Sequence, residues 1–180
     1  MKTLVTLVFG IWTLSSFAQS DSTFHAPHFV KTAVANTGCF VYFPDDQEVY
    51  FSLEYSPDSA QVYTGEVLSG DYHYAAIVIK FNGLTLENTA EKEEMITSYL
   101  DYLQSTFGIT AAAGYGKGHT HDSDTQAAGI IDYWEDDDGD EWTVKAWANA
   151  STLAVLMIYG PESYPNYSVA ALFLNGIRFE

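Results

Sequence analysis

The chain has 180 residues, and its 24 acidic side chains outnumber its seven basic ones to give a formal net charge of −17. Such a molecule repels phosphate backbones and anionic membrane surfaces, which excludes nucleic acid as a partner because no basic patch offsets the charge. Its hydrophobic content of 47% is too high for a disordered chain. The length suits one ordinary domain that is stabilised by apolar burial.

The first eighteen residues predict a secretory signal peptide. Lys2 supplies a basic start, residues 4–14 form an apolar run, and Ser16-Phe17-Ala18 is a small-x-small cleavage site. The run is too short and too interrupted by threonine and glycine to span a membrane, so no membrane insertion is expected. We therefore expect cleavage after Ala18 and a secreted or periplasmic product.

Residues 19–37 mix Ser, Thr, His, Ala and Asn with little periodicity. This pattern predicts a flexible N-terminal arm. A single α+β domain is expected to occupy residues 38–180. The only cysteine, Cys39, precedes an apolar run and is expected to be a small buried side chain rather than a nucleophile.

Apolar runs separated by Gly, Pro and Asp turns predict several strands. The strands are expected at residues 40–43, 49–55, 61–68, 72–81 and 153–159, with a hairpin over 127–148. The run at 153–159 is apolar throughout, which is typical of an interior strand covered on both faces. The sheet therefore needs a covering layer.

Two helices are predicted to provide this cover. Asn88 followed by Glu91 is an N-cap and N3 pair, and apolar residues then recur at helical spacing up to Gly108. A shorter helix is predicted over residues 166–174. The resulting fold class is α+β, with a mostly antiparallel sheet and helices on both faces.

The long hairpin carries a prediction of register. Asp138-Gly139 is a strong signal for a two-residue type I′ turn, and counting outward from it pairs Asp132 with Lys145. The same count places Trp134 and Trp147 on one face of the hairpin. Exposed indoles on that face could stack on a sugar ring or on a partner protein, whereas burial under a helix is the alternative.

Several landmarks occur in a recognisable order. They are the leader, Phe40-Val41-Tyr42-Phe43-Pro44, the long helix, a strand ending in Tyr159-Gly160-Pro161, and the closing Phe173-Leu174-Asn175-Gly176-Ile177-Arg178-Phe179. Together they resemble the secreted PsbP-like domains. The resemblance implies an α/β/α sandwich that relatives use as an accessory or docking module, without shared catalytic residues. The bacterial proteins that the chain resembles most are uncharacterised exported proteins.

The acidic run around the hairpin turn suggests a metal site. Clustered carboxylates are the oxygen donors that Ca²⁺ prefers, and Asp136, Asp138 and Asp140 are the candidate ligands. An EF-hand is excluded, because aligning Gly139 with the invariant glycine of that loop puts Lys145 where a bidentate glutamate is needed. The alternatives are therefore a low-affinity calcium site and a solvated hairpin tip.

His119 and His121 form a His-x-His pair that a strand would direct to one face, where a transition metal could bridge them. The glycine-rich segment that precedes the pair favours a flexible polar loop instead.

Motifs that would name a reaction are missing from the sequence. It contains no nucleophile elbow, no His-Glu-x-x-His and no phosphate-binding glycine loop. The leading hypothesis is an exported, non-catalytic binding or accessory module without a cofactor, whose partner is a protein or glycan of the envelope or the exterior. The alternatives are a calcium-binding protein and a hydrolase that uses a cryptic pair of carboxylates.

Overall fold

The computed structural model describes residues 24–179, so the predicted signal peptide lies outside the described residues. The strands are β1 (Phe29–Ala33), β2 (Phe40–Pro44), β3 (Ser52–Tyr55), β4 (Gln61–Ser69), β5 (Tyr72–Lys80), β6 (Ile109–Ala112), β7 (Gly116–His121), β8 (Asp124–Asp136), β9 (Glu141–Ala148) and β10 (Thr152–Gly160). The helices are α1 (Thr89–Thr106) and α2 (Tyr167–Leu174). Within residues 24–179, neither helix is long and apolar enough to cross a membrane.

Eight of the strands form one sheet in the order β3-β4-β5-β10-β9-β8-β6, with β7 also pairing with β8. Neighbouring strands of this sheet run antiparallel, and β10 lies in its centre between β5 and β9. The strands β1 and β2 form a separate antiparallel pair. The predicted α+β class with a mostly antiparallel sheet is confirmed.

Successive residues of β10 point into two apolar cores, one on each face of the sheet. Leu156 packs in the α2-side core, which contains Phe173 of α2. Val155 packs in the α1-side core, which contains Leu100 of α1. The two helices therefore cover opposite faces, and the prediction of an interior strand covered on both sides is confirmed.

Helix α1 begins and ends where the sequence predicts. Asn88 Oδ1 accepts a hydrogen bond from the Glu91 N–H at 3.0 Å, and Glu91 Oε1 accepts one from Asn88 Nδ2 at 2.9 Å. The helix ends at Thr106 with Phe107 as its C-cap, and Gly108 follows in the left-handed conformation with φ +67°. Because these caps satisfy helix-end groups locally, they could be identified from the sequence.

The domain begins earlier than the sequence predicts. Strand β1 lies within the predicted flexible arm of residues 19–37, yet it pairs along its whole length with β2. Val34, directly after β1, is fully buried in the α2-side core. The arm prediction is therefore wrong for this segment, because the strand is stabilised by a partner strand and a core that local periodicity does not show.

The hairpin of β8 and β9 is shifted by one residue from the predicted register. Asp132 lies opposite Val144, and Lys145 lies opposite Ile131. Since a shift of one residue exchanges the faces of a strand relative to its partner, the predicted pair of Asp132 and Lys145 is wrong. The Asp132 carboxylate instead accepts a hydrogen bond from Nε1 of Trp134 at 2.8 Å on the α1 side.

The shift arises at the acidic turn, which is a three-residue loop rather than a two-residue one. The Asp136 N–H donates to the Asp140 carbonyl at 3.2 Å, and Gly139 adopts φ +86° at the last loop position. The Asp136 carboxylate fixes this loop. Its Oδ1 accepts the N–H groups of Asp138 and Asp140 at 3.1 and 2.9 Å, and its Oδ2 accepts Nε1 of Trp142 at 2.9 Å.

Replacing Asp136 with alanine is expected to lower the free energy of unfolding by about 1–2 kcal/mol, because three N–H donors lose their acceptor. Asp138→Ala is the matched control. It removes the same charge from the same turn, but the Asp138 carboxylate accepts none of these three hydrogen bonds. Urea denaturation of both variants measures the difference, and equal losses would show that the Asp136 carboxylate does not organise the turn.

Candidate functional site

The two tryptophans predicted to form an exposed binding face are buried on opposite faces of the sheet. Trp134 is 3% exposed in the α1-side core, and Trp147 is 1% exposed in the α2-side core. Nε1 of Trp134 donates to Asp132 Oδ2, and Nε1 of Trp147 donates to the Leu174 carbonyl, both at 2.8 Å. The prediction that these tryptophans form an exposed binding platform is therefore wrong, and the alternative that they are buried is confirmed.

The three carboxylates predicted to bind calcium play different parts in the turn. Both oxygens of Asp136 accept N–H groups of the hairpin, whereas Asp138 and Asp140 contribute backbone N–H groups to it. Within the part of the chain that the structure describes, no three His, Cys, Asp or Glu side chains are grouped so as to hold a metal ion. The calcium hypothesis stays a prediction from the sequence.

The His-x-His pair lies on strand β7 rather than in a flexible loop. The pairing of β7 with β8 is irregular between Thr120 and His121, which interrupts the alternation of side chains. His121 and His119 line different cavities. The two imidazoles are therefore placed in separate environments.

His121 belongs to a cavity of about 390 Å³ that no sequence motif predicts. Its walls come from the end of β7, from β9, from α2 and from the segment that follows α2. The side chains that determine its chemistry are those of His121, Asp122, Lys145, Trp147 and Arg178. The cavity thus combines an aromatic wall with ionisable groups, as small-molecule sites do.

The orientation of the His121 ring fixes which nitrogen carries its proton. The ring is 3% exposed and stands perpendicular to Trp147, with 4.8 Å between the ring centroids. Nδ1 accepts the backbone N–H of Ser123 at 3.2 Å. Because a backbone N–H can only donate, Nδ1 is unprotonated and the neutral ring carries its proton on Nε2. Nε2 is buried and has no hydrogen-bonding partner among residues 24–179.

The surroundings of His121 favour its neutral form. Burial, followed by the positive charge of Arg178, lowers the pKa of the imidazole below 6.5. A backbone interaction with Asn175 acts in the opposite direction, followed by the negative charges of Asp122 and Asp124. The pocket is therefore lined by a neutral imidazole whose Nε2–H donor is buried.

Lys145 is a buried cation of this pocket, with 7% exposure. Its Nζ donates to Asn175 Oδ1 at 2.8 Å and lies 4.6 Å from the centroid of the Trp147 ring. Burial lowers the pKa of the ammonium, and the Asp122 carboxylate opposes that shift. Since an ammonium has three N–H donors and Lys145 forms no ion pair with a described carboxylate, donors remain for a ligand.

Arg178 is held through one guanidinium nitrogen. Nη1 donates to the carbonyls of Asn175 and Ile177 at 2.8 and 2.6 Å, and the guanidinium carbon lies 5.3 Å from the centroid of the Tyr42 ring. The Arg178 backbone also pairs with Phe40 of β2. Nε and Nη2 form the edge suited to a bidentate acceptor, and they make no hydrogen bond within the described chain.

A larger cavity of about 530 Å³ lies beside residues 24–28 and is lined by acidic and aromatic side chains. Its polar side chains include closed pairs. His28 Nδ1 lies 2.8 Å from Asp45 Oδ2, and the Tyr74 hydroxyl lies 2.6 Å from that of Tyr164. We take the His121 pocket as the candidate site because, among residues 24–179, it combines a buried donor without a hydrogen-bonded acceptor and two cations without an ion-paired carboxylate.

The pocket could not be found from local sequence signals. Its side chains come from three distant parts of the chain, around residues 121, 145 and 175. One signal was present, since Lys145 interrupts an apolar strand. The predicted two-residue turn, however, pairs Lys145 with Asp132, so the sequence gives no reason to expect that Lys145 needs a different partner.

No protein-family model matches the chain, and no curated protein is significantly similar to it. The resemblance to the PsbP-like domains therefore rests on the sequence landmarks.

Proposed function

We propose that the chain is an exported binding or accessory module that holds an acceptor-bearing ligand in the His121 pocket. The observation that carries the proposal is the buried Nε2–H of His121, which has no acceptor among the residues described. Burying a donor without a partner costs about 1–3 kcal/mol. A ligand oxygen that accepts this hydrogen bond recovers the cost, so the pocket favours ligands that carry acceptors.

The charges of the pocket favour an anionic acceptor. Lys145 and Arg178 line the same cavity as His121 and are two of only seven basic residues in a chain with 24 acidic ones. Neither forms an ion pair with a carboxylate of residues 24–179. Charge-assisted hydrogen bonds to these groups are stronger than neutral ones, so we expect an anionic oxygen to bind the site more tightly than a neutral oxygen.

Export and the accessory role are supported by the sequence. The leader of residues 1–18 supports a secreted or periplasmic location. The resemblance to PsbP-like domains supports a docking role, and helices on opposite faces of an antiparallel sheet are compatible with an α/β/α sandwich. The bound group would then belong to a protein, glycan or small molecule of the envelope or the exterior.

Millimolar acetate or inorganic phosphate is expected to raise the melting temperature more than chloride at equal ionic strength. A ligand that binds only the folded state stabilises it by mass action, and a gain of 1 kcal/mol corresponds to about 2–4 °C in a domain of this size. Differential scanning fluorimetry measures the shift.

Two variants locate the effect. His121→Phe and Lys145→Met should each lose the anion-specific shift, because one removes the Nε2–H donor and the other removes the ammonium while keeping an apolar stem. Lys117→Met is the matched control, since Lys117 is an exposed cation of β7 that does not line the cavity. The proposal is wrong if neither anion exceeds chloride, or if the shift persists unchanged in both pocket variants.

A further inference from the structure

We infer that the His121 pocket recognises a carboxylate that is joined to an apolar group. The inference rests on the proposed function, because it names the class of ligand for the same pocket. Three features of the cavity lead to it: the number of charges on its walls, the directions in which donors remain, and the apolar side chains beside them.

The charge balance of the walls favours a monoanion. Lys145 and Arg178 are positive, Asp122 is negative, and His121 is neutral, so the pocket carries one net positive charge. A carboxylate neutralises it. A phosphate dianion would leave an excess negative charge next to Asp122, inside a molecule that already carries a net charge of −17.

The remaining donors match a planar group with two oxygens. The Nε and Nη2 edge of Arg178 is the fork that binds both oxygens of a carboxylate, whereas Nη1 is occupied by backbone carbonyls. The Nε2–H of His121 and the ammonium of Lys145 supply further donors from other walls of the cavity. Together these donors can serve the lone pairs of one carboxylate.

Part of the cavity wall is apolar. Ala171 and Leu172 contribute from α2, and the Trp147 ring contributes from β9. Leu172 is 61% exposed although it is a large hydrophobic residue. An apolar group next to the carboxylate would cover part of Leu172, and each buried methylene contributes about 0.8 kcal/mol. The cavity volume of about 390 Å³ suits a small ligand of this kind.

Two sources can present this chemistry: a free apolar carboxylic acid, and the C-terminal residue of a peptide. Isothermal titration calorimetry with hexanoate and with N-acetylleucine distinguishes them, and hexanamide and N-acetylleucinamide are the matched neutral probes. We expect at least one acid to bind about tenfold or more tightly than its amide, a difference of about 1.4 kcal/mol. Tighter binding of hexanoate assigns the site to free acids, and tighter binding of N-acetylleucine assigns it to chain termini.

Variants identify the groups that bind the carboxylate. Arg178→Gln should weaken binding of the acid about tenfold and leave the amide unchanged, because the lost interaction is with the negative charge. Lys117→Met should leave both affinities unchanged. Equal binding of acid and amide overturns the carboxylate assignment. Binding of inorganic phosphate without binding of either acid also overturns the carboxylate assignment but leaves the proposed function standing. If none of the probes binds, both the carboxylate assignment and the proposed function are wrong.

The affinity for the acid is expected to rise as the pH falls from about 7.5 to about 5.5, by roughly threefold or more. The second proton of the protonated ring sits on Nδ1, where the Ser123 hydroxyl oxygen lies 3.0 Å away and can accept it. A carboxylate beside Nε2 stabilises this protonated ring, so binding raises the pKa of His121 from its lowered free-state value, and protons are taken up on binding. The charged groups around the ring are Arg178, Lys145, Asp122 and Asp124.

Calorimetry across the same pH range tests this linkage. His121→Gln keeps an N–H donor but cannot titrate, so its affinity should not change with pH. His119→Gln is the matched control, because His119 is a second titratable group on β7 that lines a different cavity. A pH dependence that persists in His121→Gln and disappears in His119→Gln would overturn the assignment of His121 as the group that contacts the carboxylate.

Discussion

The burial of the Trp147 indole is the interaction on which both the α2 side of the fold and the candidate pocket depend. Its Nε1 donates to the carbonyl of Leu174 at the end of α2, which joins that helix to the central sheet. The indole lies against Gly129 of β8, where any Cβ atom would overlap the ring. His121 and Lys145 contact the ring from other sides. A single side chain therefore links the sheet, the helix and two polar groups of the pocket.

This arrangement explains how polar groups can be buried beside an apolar core. The indole gives Lys145 a cation–π partner, and Asn175 at the end of α2 gives it a hydrogen bond. Arg178 is fixed by backbone carbonyls of the same segment and by its pairing with β2. Preorganised donors of this kind do not have to be ordered when a ligand binds, which lowers the entropic cost of association.

The sequence predicted those elements whose determinants are local. The cap formed by Asn88 and Glu91 fixed the start of α1, because both partners lie within one turn of the helix. The apolar run of β10 predicted a strand covered on both faces, because its composition leaves no polar face. The register of the hairpin formed by β8 and β9 could not be predicted from local signals in this way. Whether Asp138-Gly139 forms a two-residue or three-residue loop depends on the Asp136 carboxylate and on Trp142, whose contact exists only in the folded hairpin.

That small error in register had a large effect on the predicted site. With the shorter loop, Lys145 appeared to be paired with Asp132, and Trp134 appeared to share a face with Trp147. In the structure, Asp132 accepts N–H donors on the α1 side. Lys145 lies on the α2 side and forms no ion pair with a carboxylate of residues 24–179. Successive side chains of a β-strand point to opposite faces of the sheet, so a register shift of one residue places Asp132 and Lys145 on opposite faces. The ion pair that the shorter loop predicts is therefore absent, and Lys145 is left able to bind an anion.

The acidic surface and the cationic pocket have different consequences for binding. A net charge of −17 repels anions at long range, which lowers the association rate for highly charged ligands more than for monoanions. Salt screens that repulsion beyond about 10 Å, whereas the buried contacts with Lys145 and His121 are screened much less. Under the proposed function, the surface would therefore discriminate against polyanions, and the pocket would select among the small, singly charged ligands that reach it.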